Sequence, residues 1–185
     1  MSSARGQMIE VKQIGEEDWN TLKAIRLKAL ASDPAVFSSS FDHEAKMSEA
    51  DWRSWLVTAD AGIFVVFLDS KPVGMTAISI DRHDPTKQRA ILWGSWLPRD
   101  LRNRGLSKLF YMSRIQWAER HPNCLKIIVS HRESNLSSRY ANQKHGFRRT
   151  DTKQKTWNDG VVENEHVYEL DVKLGTSTPS PEDGV

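Results

Sequence analysis

A basic, glycine-containing loop stands directly before an apolar-patterned segment, in the stretch RNRGLSKLFYMSRIQWAER that begins at Arg102. Glycine allows the backbone to turn and to approach a ligand closely. The first turn of a helix has unpaired N–H donors and the positive end of the helix dipole. These features together suit the binding of an anion. A solvated basic helix start is the alternative interpretation of these residues taken alone.

The segment after the loop predicts an amphipathic helix that packs on a sheet. Its apolar stripe is formed by Leu106, Phe110, Ser113 and Trp117, with Leu109 beside them. We expect the aromatic residues of this stripe in the core. The groups left free at the helix tip are then Arg102, Asn103, Arg104 and the backbone N–H groups through Ser107. They outline a cradle for a pyrophosphate.

Strand and helix patterns alternate along the rest of the chain. Strands are predicted for MIEVKQI, GIFVVFL, VGMTAISI, RAILWGSWL and LKIIVSH, followed by two more around the turn NDG. Helices are predicted at residues 16–30, after a capping box of Ser48 and Asp51, and at residues 135–145. The basic helix is therefore a crossover between two strands, and its start lies at the carboxyl end of RAILWGSWL. Open α/β sheets bind their ligands at that edge.

Length and composition limit the function classes. The chain has 185 residues, which suits one domain. We expect that domain at residues 8–174, after an extension of residues 1–7 and before a disordered tail of residues 175–185. The 26 Lys and Arg against 24 Asp and Glu leave a net charge of +2, which argues against nucleic acid or an anionic membrane as partner.

Cysteine usage and apolar runs indicate the compartment. Cys124 is the only cysteine, which excludes an intrachain disulfide and the usual zinc patterns and fits a reducing compartment. We therefore expect a cytoplasmic protein without a metal. The start MSSARGQMIEVKQ lacks an apolar signal core, and no apolar run approaches the ~20 residues of a membrane helix.

Two motifs in order resemble the GNAT acyltransferase superfamily. Arg102, Gly105 and Ser107 occupy the positions of its acyl-CoA loop pattern Q/R-x-x-G-x-G/A, with serine as the departure. The later segment NLSSRYANQKHGF resembles the pattern N-x-x-A-x-x-x-Y-x-x-x-G-F at four offsets, those of Asn135, Ser138, Gly146 and Phe147. RLKALASDPAVFSSSFDHE and DSKPVG also look like GNAT segments, so the resemblance spans roughly residues 8–172.

The resemblance implies a GNAT fold: a single α/β domain with a mixed, mostly antiparallel, splayed sheet of six to seven strands and about four helices on its two faces. It implies acetyl-CoA as acyl donor and an N-acyltransferase that transfers the acyl group, by default acetyl, directly to a primary amine of a small molecule or peptide. The implied CoA-binding residues are Trp96, Leu97, Arg99, Arg102, Asn103, Arg104, Gly105, Leu106, Ser107, Asn135, Ser138 and Asn142.

Two other functions remain open at this point. A CoA-binding regulatory protein with little or no transfer is the main alternative. A nucleic-acid module built on Arg99, Arg102, Arg104 and Lys108 is a weaker one, because the total charge is nearly balanced. The oligomeric state is also open, with a homodimer as one arrangement.

The tyrosine that the resemblance implies as proton donor to the CoA sulfur is absent. Its position, seven residues after Asn135, is Asn142. Two positions along a helix rotate a side chain by about 200°, so Tyr140 should point away from Asn142. Tyr140 is the alternative acid only if the helix register shifts. Asn142 can donate a hydrogen bond to sulfur without giving up a proton.

A base is also needed, because an alkyl amine with a pKa near ~10.4 must lose a proton before it attacks. The carboxylate that the resemblance implies in the strand would match Ile91, and AILWGSWL contains no acid. The candidates are His131, Glu44, His83 and Asp84. The alternatives are a structural hydrogen-bonded histidine for His131, a solvated charge for Glu44, and plain loop residues for the other two.

Aromatic residues mark the acceptor side. We assign Phe37, Phe41, Glu44 and Trp93 to it. Trp93 and Trp96 should lie on opposite faces of their strand, so at most one of them lines the acceptor channel. The long loop of residues 32–47 is a candidate specificity element. The sequence does not identify the acceptor.

Overall fold

A seven-stranded sheet runs through the computed structural model, which describes residues 7–172. The strands are β1 Ile9–Gln13, β2 Ala61–Leu68, β3 Lys71–Ile80, β4 Arg89–Trp96, β5 Lys126–Arg132, β6 Arg148–Thr156 and β7 Val162–Asp171. Their order is β1-β2-β3-β4-β5-β7-β6, and only β4 and β5 run parallel. The predicted mixed, mostly antiparallel sheet is confirmed. The predicted tail and all but Gln7 of the predicted extension lie outside the described residues.

Residues 7–172 form five α-helices, one more than the sequence indicated. They are α1 Trp19–Ser32, α2 Phe41–Glu44, α3 Glu49–Ser54, α4 Ser107–Arg120 and α5 Leu136–Lys144. The extra helix is the four-residue α2, which lies in the segment expected as loop and begins where the Ser40 side chain accepts a hydrogen bond from the His43 N–H. No helix within residues 7–172 is both long and apolar enough to cross a bilayer.

The capping box before α3 forms as predicted. The Ser48 hydroxyl accepts a hydrogen bond from the Asp51 N–H, and the Asp51 carboxylate accepts one from the Ser48 N–H at 2.8 Å. The box supplies partners for N–H groups that a helix start leaves unpaired. It fixes where α3 begins, and α3 places Trp52 fully inside the core.

Two apolar clusters fill the two faces of the sheet. One cluster joins α1 and α3 to β2, β3 and β4, and it includes Leu22, Trp52 and Met75. The other joins α4 to the opposite face, and it includes Ile78, Tyr111 and Ile127. Each face is therefore closed by helices, as the alternation of strand and helix patterns indicates.

A β-bulge in β4 overturns the expected placement of its two tryptophans. Met75 pairs with Trp96 and Ala77 with Trp93, so two residues of β4 lie opposite Thr76 alone. One of the two is Gly94, with φ +66°. The extra residue resets the alternation of side chains along the strand. Trp93 and Trp96 consequently both pack on the α1 face, not on opposite faces.

The buried side of α4 also differs from the predicted stripe. Leu106 and Phe110 are buried as expected, while Ser113 is only half-buried and the helix buries Tyr111, Arg114 and Ala118. A pattern based on apolar residues cannot detect Arg114 as an inward position. Trp117 does pack on the sheet, because a Cβ at Gly62 of β2 would lie 2.7 Å from its Cδ1.

The two parallel strands diverge after a short paired stretch. Only Arg89, Ala90 and Ile91 of β4 pair with β5, whose partners are Lys126, Ile127 and Ile128. Beyond these residues the strands splay apart. The splay opens the sheet at the carboxyl ends of β4 and β5, next to the start of α4.

Candidate active site

The loop before α4 presents a row of unpaired backbone donors. Asn103 and Gly105 have positive φ, of 61° and 78°. Within residues 7–172, nothing accepts a hydrogen bond from the N–H groups of residues 103–107. A Cβ built on Gly105 would meet no atom within 4 Å. The loop therefore faces open space with its N–H groups free, as an anion cradle requires.

Arg102 is not free at the tip of the loop, which corrects the expectation from the sequence. Its Nε donates to the Leu97 carbonyl at 2.8 Å, and its Nη2 lies 2.5 Å from the Asp33 carboxylate. Burial raises the pKa of Asp33, but hydrogen bonds from Arg102 and Trp96 outweigh it and hold the pKa below its usual value. Arg102 therefore ties the loop to the end of α1.

A cleft of about 650 Å³ extends between the splayed strands, from the α4 and α5 side to the α1 side. Among the predicted site residues, its lining includes Phe37, Trp93, Trp96, Leu97, Arg102, His131, Asn135, Ser138 and Asn142. The remaining predicted site residues lie outside this lining: Phe41, Glu44, Arg99, residues 103–107 and Tyr140. Of these, Phe41 and Tyr140 are exposed, and Leu106 is buried at the base of the loop.

Asn142 and Tyr140 lie on opposite sides of α5. Tyr140 is 68% exposed, whereas Asn142 is fully buried. The Asn142 Oδ1 accepts a hydrogen bond of 2.5 Å from the hydroxyl of Tyr111 on α4, and its Nδ2 is buried without a partner among the described residues. A phenol therefore does reach the neighbourhood of Asn142, but it comes from a different helix.

Arg114 lies beside Tyr111 with no acidic partner. It is 2% exposed, its Nη1 donates to the Ser95 hydroxyl at 2.8 Å, and its Nε donates to the Phe110 carbonyl. Its guanidinium carbon is 4.8 Å from the centre of the Tyr111 ring. Burial lowers the pKa of Arg114 to about 10, so it stays charged at neutral pH. No carboxylate of the described residues lies within 4.0 Å of it.

His131 is held neutral with one basic nitrogen. Its Nδ1 lies 2.7 Å from the Arg132 carbonyl, and a carbonyl can only accept, so Nδ1 carries the proton and Nε2 the lone pair. Burial lowers the pKa of His131 and outweighs the hydrogen bond to the Arg132 carbonyl, which raises it. The ring stacks on Tyr168, with centroids 5.3 Å apart.

Glu44 is not the solvated charge considered from the sequence. It is 2% exposed and forms a two-bond ion pair with Arg26, with distances of 2.8 and 2.7 Å. Arg26 in turn lies over the Phe37 ring at 4.9 Å and lines the cleft. The Glu44 carboxylate therefore holds a cleft residue in place.

The other two base candidates lie away from the cleft. His83 is exposed in the loop between β3 and β4. Asp84 is buried and organises that loop, because its carboxylate accepts hydrogen bonds from the Thr86 hydroxyl and from the Gln88 and Arg89 N–H groups. These contacts hold the pKa of Asp84 below its usual value.

Several cleft residues had no signal in the motifs, among them Tyr111, Arg114, Trp157 and Glu165. Glu165 of β7 accepts hydrogen bonds from the Ser130 hydroxyl and the Lys155 ammonium. Its place follows from pairing between β5 and β7, which are distant in sequence. For Tyr111 and Arg114, their spacing of three on α4 is the one local signal, since it places both on one helix face.

The profile of the acetyltransferase (GNAT) family matches residues 24–147, about two thirds of the chain. This chain belongs to that family. It is therefore a GNAT-type N-acetyltransferase, as the resemblance of its two motifs implied. None of the curated proteins matches it. Within residues 7–172, no group of three or more His, Cys, Asp or Glu side chains is arranged to hold a metal ion.

Many solved structures share the fold. An acetyltransferase of the GNAT family from Streptococcus pneumoniae has a TM-score of 0.77 at 16% identity, covering 90% of this chain and 100% of its own. A putative acetyltransferase from Salmonella typhimurium, solved with acetyl-CoA, has a TM-score of 0.74 at 12% identity, covering 95% and 99%. Spermidine N-acetyltransferase from Vibrio cholerae, solved with CoA and spermine, has a TM-score of 0.69 at 9% identity, covering 89% and 95%. At these identities the likeness shows the fold alone.

Proposed function

We propose that this GNAT protein transfers the acetyl group of acetyl-CoA directly to a primary amine of a small molecule or peptide. The observation that carries the proposal is one continuous cleft. It begins beside the donor-rich loop at α4, passes through the splay of β4 and β5, and reaches an aromatic wall on the α1 face. Two substrates can therefore enter from opposite sides of the sheet and meet between the strands.

The loop supports binding of the CoA pyrophosphate. The free N–H groups of residues 103–107 and the positive end of the α4 dipole both favour phosphate oxygens. The absence of a side chain at Gly105 leaves room for them. Asn135 and Ser138 of α5 line the continuation of the cleft and offer polar contacts to the rest of the donor.

The α1 side supports the acceptor. Phe37 and Trp93 supply apolar walls, and the charged side chains there are already paired, Arg26 with Glu44 and Lys155 with Glu165. His131 lines the cleft, and its Nε2 lone pair has no hydrogen-bond partner among the described residues. It accepts the proton of the attacking amine, directly or through a water molecule.

The test is CoA affinity after loss of the loop glycine. Gly105→Val places a β-branched side chain at φ +78° in the space where the phosphates would lie, so CoA affinity should fall about tenfold or more, a loss of ~1.4 kcal/mol. Gly160→Val is the matched control, since Gly160 also has φ +78° and open space and lies in the β6–β7 turn. Calorimetric titration of both variants should show a defect only at Gly105, and equal CoA affinity in both would contradict the proposal.

A further inference from the structure

We propose that Arg114 stabilises the sulfur of coenzyme A as a thiolate, so that the leaving group departs as an anion held by a buried cation. The inference rests on the proposed function, because it concerns the donor bound in the same cleft. It assigns the stabilisation of the leaving group to electrostatics and to a residue of α4, instead of to a proton donor on α5.

The first support is an uncompensated charge. A buried guanidinium costs free energy unless an anion pairs with it. Among the described residues, the hydrogen-bond partners of Arg114 are the neutral Ser95 hydroxyl and Phe110 carbonyl, and its guanidinium lies against the neutral Tyr111 ring. The other buried cleft arginines differ, since Arg26 pairs with Glu44, and Arg132 pairs with Asp159 and Glu163. Within residues 7–172 the charge of Arg114 has no counter-ion, and an anionic group of the bound donor would supply one.

The second support is the position of Arg114 along the cleft. It lies seven residues after Ser107, about 10 Å along the axis of α4 at 1.5 Å per residue. That distance separates it from a pyrophosphate at the loop. Its Nη1 donates to Ser95, which belongs to the bulge of β4 where the strands splay. The charge therefore lies where donor and acceptor would meet.

The third support is the arrangement of the neighbouring polar groups. The Tyr111 hydroxyl already donates to Asn142, and burial raises the pKa of Tyr111, against a smaller lowering by Arg114. A phenol with a pKa raised above its ordinary value of ~10 is a weaker proton donor to the departing sulfur. Stabilisation by the Arg114 charge does not need that proton transfer.

The chemical step balances without a protein acid. The amine nitrogen forms a bond to the acetyl carbon, the carbon–sulfur bond breaks, and its electron pair stays on sulfur. The amine proton goes to the base or to water. The products are the amide, the CoA thiolate and one proton, and the thiolate takes up a proton after it leaves the cleft.

The predicted lowering of the thiol pKa can be measured in the wild-type protein from the pH dependence of CoA affinity. A thiol whose pKa is lowered on binding is bound more tightly as pH rises toward the pKa of the free thiol, by about tenfold in total for each unit by which binding lowers that pKa. Desulfo-CoA lacks the thiol and should show no such rise. The ultraviolet absorbance of the thiolate in the saturated complex reports the same pKa directly.

The neighbours of Arg114 with shifted pKa values do not titrate between about pH 7 and the pKa of the free thiol. On α4 the titratable neighbour is Tyr111, whose pKa is raised. At the end of α5 lie Lys144 and His145, which stacks on Tyr111. Burial and the nearby cations lower the pKa of His145, and burial also lowers that of His131 on β5, so both titrate below the interval.

Two variants separate charge from packing. Arg114→Lys keeps the charge and should keep most of the thiol pKa shift, while Arg114→Met removes the charge and should return the bound thiol to its ordinary pKa. Arg120→Met, at an exposed position of the same helix, should leave the pKa shift unchanged. A merely structural role would weaken CoA and desulfo-CoA equally at every pH.

Failure of this inference and failure of the proposed function give different results. If CoA and desulfo-CoA bind the wild-type protein with the same pH dependence and the bound thiol titrates at or above its ordinary pKa, this inference is overturned while the proposed function stands. If neither ligand binds, the proposed function itself is overturned and the inference with it.

Discussion

Arg26 and Glu44 form the most deeply buried ion pair of the described residues, with side chains 6% and 3% exposed. Glu44→Ala would leave the guanidinium buried without its partner, which should cost about 3–5 kcal/mol of unfolding free energy. Glu49→Ala is the control, because Glu49 pairs with Arg53 on the surface of α3 and its loss should lower the free energy of unfolding far less. Urea unfolding measures both. Similar small losses would show that the buried pair contributes little.

His131 should set the acidic limb of the pH–rate profile. Burial lowers its pKa below 6.5, so it stays neutral and able to accept a proton until the pH falls through that lowered value. His131→Asn should remove this limb and reduce kcat/KM by about 10²–10⁴. His83→Asn, in the exposed β3–β4 loop, should change neither. An unaltered acidic limb in His131→Asn would assign the base to another group.

At the scale of elements, the bulge of β4 determines how the acceptor side is built. Gly94 has φ +66°, and a Cβ there would lie 3.3 Å from the Met75 Cε. Gly94→Ala should lower the free energy of unfolding by about 1–2 kcal/mol, because the methyl group is strained at positive φ. It should also alter the near-ultraviolet circular dichroism of the tryptophans beside the bulge. Gly15→Ala is the matched control, because Gly15 has φ −115° and open space and should tolerate the methyl group. Equal stability of the two variants would argue against strain at the bulge.

The local sequence pattern predicts the positions of strands and helices better than the faces that their side chains occupy. The positions of β2 to β5, α4 and α5 followed from apolar periodicity, capping residues and turn residues. The faces of Trp93 and Trp96 did not, because an inserted residue resets strand alternation without a mark in the apolar pattern. The inward position of Arg114 was missed because its neutral partner Ser95 lies on another strand.

At the scale of the whole molecule, stability should fall with pH in two stages. His131 and His145 have lowered pKa values in the folded state, so the unfolded chain binds more protons as pH falls below about 6.5. Asp84, Glu163 and Glu165 also have lowered pKa values, so a steeper loss should follow below about pH 4. Urea midpoints measured across this range give both stages. A midpoint independent of pH down to about 3 would contradict them.

The candidate site contains one part that is contiguous in sequence and several contacts between residues far apart in sequence. Gly105 and its donor-rich loop were predictable because they are contiguous in sequence. The contacts of Asn142 with Tyr111, of Glu44 with Arg26 and of Glu165 with Ser130 join residues 31, 18 and 35 positions apart. Such contacts depend on tertiary packing, which fixes burial and partners that spacing alone leaves open.

Acetyl transfer itself is tested most directly by incubating the protein with acetyl-CoA and a panel of amino acids, polyamines, aminoglycosides and peptides with free N-termini. Thiol release and the mass of the product are measured together. At least one primary amine should gain one acetyl group for each CoA thiol released, and Gly105→Val should slow this reaction while Gly160→Val should not. Acetyl transfer would be contradicted if acetyl-CoA binds tightly but its thioester is recovered intact with every amine of the panel.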